Sequence, residues 1–181
     1  ELHLGQDGTQ SLVRTKRGGV VGALPSTLEQ IIGDRLRELP PEERAIVDWL
    51  AVAEGALTPA ELSRLESREV EDAVTRLCAR GVCDLRSGSV DFRHTIGRDV
   101  AYQALSKDER RRMHRELGTY LAEGPLATGL SAAIVARHLQ RGGADEEAAV
   151  MFLEAANAAR NGYQLGQATK YFARALMLLP E

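Results

Sequence analysis

Cys83-Asp-Leu-Arg-Ser-Gly-Ser-Val-Asp-Phe-Arg-His-Thr-Ile-Gly-Arg-Asp-Val-Ala-Tyr102 is the stretch on which the fold turns. Apolar Cys83, Leu85, Val90 and Phe92 alternate with Asp84, Arg86, Asp91 and Arg93, the period of a strand with one face on a core. Ser87-Gly-Ser89 interrupts the alternation with turn residues, so the run predicts a β-hairpin. After Phe92 the period lengthens, and a helix is expected over 96–105. His94 then stands at the junction of strand and helix. An imidazole there can donate to a phosphate, and the helix N-terminus adds free N–H groups and positive dipole.

Upstream of the hairpin the chain reads as helices. Pro25-Ser26-Thr-Leu-Glu29 has the form of a capping box with Ser26 as N-cap. Leu28, Ile31, Ile32, Leu36 and Leu39 follow as one apolar stripe. Pro40-Pro41 ends that helix and opens the next, Pro41 suiting the first helical position because it has no N–H to leave unpaired. Ile46, Trp49, Leu50 and Ala53 share a face. Thr58-Pro59 opens a short helix through Leu65, and Val70, Ala73, Val74, Leu77 and Cys78 stripe another that Gly81 should terminate. Helices followed by one hairpin outline a winged-helix module. Residues 1–22 read as irregular or short-stranded.

Downstream everything is helical: about 107–123 with Met113, Leu117, Tyr120 and Leu121 inward, then 130–140, 145–161 and 163–178, separated by Gly124-Pro125, Gly142-Gly143 and Asn161-Gly162. Phe152, Ala156, Ala159, Ala168, Phe172, Ala175 and Pro180 fall where a tetratricopeptide repeat (TPR) places a large residue, small residues and a closing proline. A single repeat cannot bury both its faces, so further repeats or a partner are expected, with self-association through the repeat ends as one outcome. The expected fold class is mainly α: a winged-helix-like module with a small β-hairpin, followed by TPR-like antiparallel helical hairpins.

The 181 residues, 27% charged and 44% hydrophobic, suffice for a real core, and a net charge of −3 gives no general attraction to nucleic acid or anionic membrane. No apolar run is long enough to span a bilayer and no secretion signal opens the chain, so we expect a cytoplasmic protein without a membrane partner. No Gly-x-x-x-x-Gly-Lys-[Ser/Thr] loop, Gly-x-Ser-x-Gly elbow or His-Glu-x-x-His motif occurs, so no enzymatic activity is expected of this chain. His3, His94, His114 and His138 are dispersed without metal-ligand spacing, and Cys78 and Cys83 read as core residues. Arg110-Arg-Arg112 with His114 and Arg115 forms a basic cluster, read as a solvated helix face, with a docking face for the ATPase core or an acidic partner as the alternative. A stand-alone TPR-type protein-interaction scaffold is one rival reading of the chain, and DNA binding is the rival reading of the winged helix. The first turn of its candidate reading helix carries Glu69, Glu71 and Asp72, which would repel phosphates.

Leu24-Pro-Ser-Thr-Leu-Glu29, Asp34-Arg-Leu-Arg-Glu-Leu-Pro40, Glu42-Glu-Arg-Ala45, and Phe92-Arg-His94 with Arg98 and Ala101-Tyr102 together resemble the segment after the nucleotide-binding core of bacterial STAND-class signal-transduction ATPases. These belong to the AAA+/NB-ARC-like group and occur fused to LuxR-type regulators, adenylyl cyclases or Ser/Thr kinases. The resemblance implies that residues 1–23 are a linker or the tail of an upstream ATPase core, 24–105 a helical/winged-helix module and 106–181 TPR-like repeats. It implies a non-catalytic regulatory fragment that couples nucleotide state to partner binding. ATP or ADP would sit in the parent protein and no cofactor in the fragment. His94 would touch the nucleotide phosphate, with Arg35 and Arg98 facing the core in cis. Relatives carry aspartate after the histidine, where this chain has Thr95.

Overall fold

The computed structural model describes residues 27–125 and 128–179. The expectations for residues 1–23, for Ser26 and for Pro180 lie outside it. The described residues are mainly helical, with one two-stranded antiparallel sheet. In order they form α1 (Leu28–Arg37), α2 (Pro41–Ala53), α3 (Pro59–Glu66), α4 (Glu71–Ala79), β1 (Cys83–Arg86), β2 (Ser89–Phe92), α5 (Thr95–Ala104), α6 (Lys107–Ala122), α7 (Ala132–Arg141), α8 (Asp145–Asn161) and α9 (Leu165–Leu178).

Local signals set several of these limits. Pro41 is the first residue of α2. Thr58 and Glu61 form a reciprocal capping box on α3, and Ser106 and Glu109 form a second on α6, each satisfying two otherwise orphaned donors. After α4 the chain turns at Gly81 with φ +73°, and the Val82 N–H returns to the Leu77 carbonyl, so this glycine is there for its left-handed backbone. The hairpin pairs Cys83 with Phe92 and Arg86 with Ser89, leaving Ser87-Gly88 as a two-residue turn with both φ positive. Leu57 adds a one-residue bridge to β2, exchanging both hydrogen bonds with Val90. This order, helix, bridge, two helices, hairpin, is winged-helix-like.

Two sequence expectations fail at the edges. The N-cap of α1 is Thr27, which accepts from the Gln30 N–H. Of the α1 stripe only Leu36 is fully buried. Leu28 and Ile31 are exposed, and among the described residues α1 packs chiefly on α5. In the hairpin Leu85 is exposed although its partner Val90 is buried. Val90 lies in the middle, between β1 and the Leu57 bridge, whereas Leu85 is on the outer strand next to the turn.

The main core joins Ile46 and Leu50 of α2, Leu62 of α3, Leu77 of α4 and Cys83 and Val90 of the hairpin, all fully buried. It also takes Met113 and Leu117 from α6, so the core runs past residue 105. Burial of side chains this size is the dominant favourable term, at about 1.5–3 kcal/mol each. Glu43, in the first turn of α2, is buried among them. Arg76 Nε donates to its Oε1 at 2.7 Å, and Arg80 Nε lies 3.1 Å from Oε2 as an ion pair without hydrogen-bond alignment. These contacts tie α2 to α4 across 33 residues.

From α6 onward each helix packs on the next, and alanines fill the seams: Ala136 and Ala149 between α7 and α8, Ala175 of α9 beside Phe152. Phe152 stacks on Tyr171 with centroids 6.1 Å apart. The α6–α7 contact is tighter still. A Cβ on Gly118 would sit 2.9 Å from the Leu139 backbone nitrogen, and one on Gly142 would sit 2.5 Å from the Arg115 Cα. Only hydrogen fits at both points.

Candidate functional site

The strand-to-helix junction is built by what its neighbours already hold. The Arg93 N–H extends the ladder to the Val82 carbonyl, and its guanidinium turns back to Asp84, with Nε at 3.0 Å and NH2 at 2.8 Å from Oδ1. That hydrogen bond keeps the Asp84 carboxyl below the usual aspartate range. His94 follows in extended backbone, φ −134° and ψ 132°, as the N-cap of α5, and its side chain makes no cap hydrogen bond. The first turn of α5 holds no acid, so the positive end of its dipole has no counter-charge within that turn, where the Gly97 N–H donates to the His94 carbonyl. Gly97 lets the turn lie against the Phe92 ring, where an added Cβ would stand 3.3 Å from Cδ1.

Beside this junction is a hollow of about 130 Å³. Leu36, Val82 and Phe92 give it apolar walls, and Arg35, Arg80 and His94 line it too. Arg35 and His94, expected from the sequence, therefore meet here. Arg98 does not join them. It lines a different hollow with Glu54, Asp99 and Tyr102, its Nε 3.5 Å from Asp99 Oδ1. The reason is local: His94 precedes the helix in extended backbone, so four residues of spacing do not bring it onto the face of Arg98. Arg80 escaped the sequence reading, in which it merely ended a helix. Its signal was a basic residue directly before the terminating Gly81.

A second cluster lies under the other side of α5. Tyr102 Oη and His114 Nε2 are 2.9 Å apart, and His114 Nδ1 and His138 Nδ1 are 2.9 Å apart. Both histidines are buried, which corrects two expectations: they are not dispersed, and His114 has left the basic cluster for the interior. Burial pushes each imidazole down to about 4, with nearby Arg141 adding to the effect on both and each helped by a further cation or ring. The neutral pair shares one N–H between its two Nδ1 atoms. Beside it Arg141 of α7 is ion-paired with Glu54 at the end of α2, and although burial opposes ionisation, this partner holds the Glu54 carboxyl below its ordinary range. The signal for His114 was its place between Met113 and Leu117 on the inward face of α6.

The rest of the expected basic cluster is a helix surface. Arg112 pairs with Glu116 one turn on, while Arg110 caps the carbonyls of Leu105 and Gln103 and covers the Tyr102 ring at 4.8 Å. Cys83 is buried and its thiol is pushed up to about 12 by that burial, so it stays protonated and unreactive at neutral pH. Cys78 is half-buried. Among the described residues no group of three or more His, Cys, Asp or Glu is placed to hold a metal, and no helix is long and apolar enough to cross a membrane. The chain matches no protein-family model, no curated protein and no solved structure.

Proposed function

We propose that this chain is a non-catalytic regulatory segment of a STAND-class signal-transduction ATPase. Its winged helix closes over the nucleotide site of an ATPase core in cis, and its TPR-like helices take up a protein partner. The observation that carries the reading is the convergence of Arg35 and His94 beside an acid-free helix N-terminus, with Arg80 next to them and paired to Glu43. Those groups suit a phosphate that approaches from outside, because the hollow offers one wall of a site and not an enclosure. Arg98, facing a separate hollow, belongs in this reading to the surface that meets the core. Partner binding to the repeats would bias the closed and open forms through differential contacts.

DNA reading by α4 has less support. Glu71 and Asp72 occupy its first turn, and Arg76 is engaged by Glu42 and Glu43. A free-standing protein-interaction scaffold is favoured only by the apolar surface of α9, taken up below.

The reading requires a P-loop segment encoded ahead of Glu1. In that longer polypeptide, His94→Ala should speed ADP release about tenfold, the loss of one charge-assisted hydrogen bond to phosphate. Stopped-flow release of a fluorescent ADP analogue measures this. Unchanged release, or a gene without a P-loop, sinks the reading.

A further inference from the structure

The outer face of α9 is a surface without a partner among the described residues. Leu165 is 65% exposed, Leu176 71% and Met177 82%. Ala168 and Ala175 are buried, Ala175 beside Phe152 of α8; Met177 lies opposite them by the register of the helix, and Leu165 and Leu176 flank them on the exposed side. Between the large residues run Gly166, Thr169 and Ala173, a floor of small side chains. A Cβ built on Gly166 meets nothing within 4 Å. Large residues at both ends of a low floor form a notch, the shape into which the ridge of another helix packs.

The charge on this face selects the occupant. Helix α9 contains no Asp or Glu. Lys170 and Arg174, one turn apart, form a cationic row along one shoulder of the apolar stripe. The only polar side chain that Arg174 reaches is neutral Gln140, at 3.2 Å, and neither cation meets a carboxylate among the described residues. A second copy is a poor occupant. An antiparallel two-fold pair centred on the middle of α9 would set Lys170 of one copy beside Arg174 of the other. A neutral apolar helix would bury the shoulder and leave both charges unpaired.

We propose that the outer face of α9 docks an amphipathic helix whose apolar ridge is flanked by acidic residues. Leu165, Leu176 and Met177 grip the ridge, and Lys170 and Arg174 pair with carboxylates along one side. This goes beyond the reading above by naming the kind of partner its helical repeats take, and it rests on that reading only for its biological setting.

The test uses a labelled probe peptide of roughly 18 residues, five helical turns, with leucines at helical spacing and glutamates beside them. A second probe has lysine in place of every glutamate. Fluorescence anisotropy on the whole chain should show the acidic probe binding at least about tenfold more tightly than the basic one. The double variant L176D/M177D should weaken the acidic probe by about tenfold or more, and K170E/R174E should invert the preference between probes. All four positions are at the surface, and far-UV circular dichroism verifies that each variant keeps its helices. Equal binding of the two probes, or a preference that does not invert, overturns the proposal. So does a concentration-dependent dimer that L176D/M177D abolishes in sedimentation, which would make a second copy the occupant. Nucleotide release and probe binding are separate readouts, so either reading can fail without the other.

Discussion

Gly142→Ala is expected to destabilise the chain by about 3 kcal/mol, the upper range for forcing a methyl group into a close-packed contact. The backbone at Gly142 is ordinary, with φ −78°, so alanine meets no conformational obstacle there. What it meets is α6. Its Cβ would stand 2.5 Å from Arg115 Cα and 2.6 Å from Arg115 N, backbone atoms that cannot swing aside as a side chain can. Gly33→Ala is the control. Its Cβ would meet Val100 Cγ1 at an ordinary 3.7 Å in the middle of α1, so the change should stabilise by roughly 0.5–1 kcal/mol. Urea melts of the two variants beside the parent should move the midpoint in opposite directions. If both move alike, the tight α6–α7 approach is not what Gly142 serves.

Acid should loosen the joint between α6 and α7 before it unfolds anything else. His114 and His138 titrate near 4 in the folded chain and near 6.5 when unfolded, because burial disfavours the charged rings. The unfolded chain therefore binds more protons, and the contribution of the pair is whole above pH 6.5 and lost as pH falls from there through about 4. Each unit of displacement corresponds to about 1.4 kcal/mol. Discounted for the water that reaches the rings as the joint opens, the pair contributes on the order of 3 kcal/mol. Protonation also places N–H against N–H across the 2.9 Å Nδ1 contact. Glu54 and Arg141 face the same pair, and Glu54 adds its own loss only lower, within the carboxylate range. Asp48, whose pKa burial raises, works in the opposite direction at still acidic pH. Chemical denaturation between pH 7 and 5 should thus show a falling stability in the parent and a flat one in H114N/H138L. An equal slope in both would remove the histidines from the account.

These two effects mark where sequence reading ended. The hairpin, the helix starts at Pro41 and Thr58 and the stop at Gly81 were all legible, because each is written in a few adjacent residues whose chemistry acts locally. So was the inward face of α9, from the spacing of Ala168 and Ala175. The histidine pair was not. Its members are 24 residues apart, and they meet only because Gly118 and Gly142 let α6 and α7 approach so closely. The burial of Glu43 was equally hidden, since its partners lie on a helix two elements away. At the strand-to-helix junction the sequence brought out His94 and Arg35. It could not show that Arg80 arrives beside them from the end of α4 or that Arg98 lies elsewhere, because both depend on how α1, α4 and α5 are set around the hairpin.

Helix α6 gives Met113 and Leu117 to the main core while its other side receives α7. The two halves of the chain therefore have a wall in common, and any parting between them runs along the α7 side of that wall. A fragment ended after residue 105 would lose part of its own interior, and one begun at 132 would lose the support of its first helix. Grafting either half onto a foreign protein has to carry α6 with it, and substitutions on this helix have to satisfy both neighbours at once.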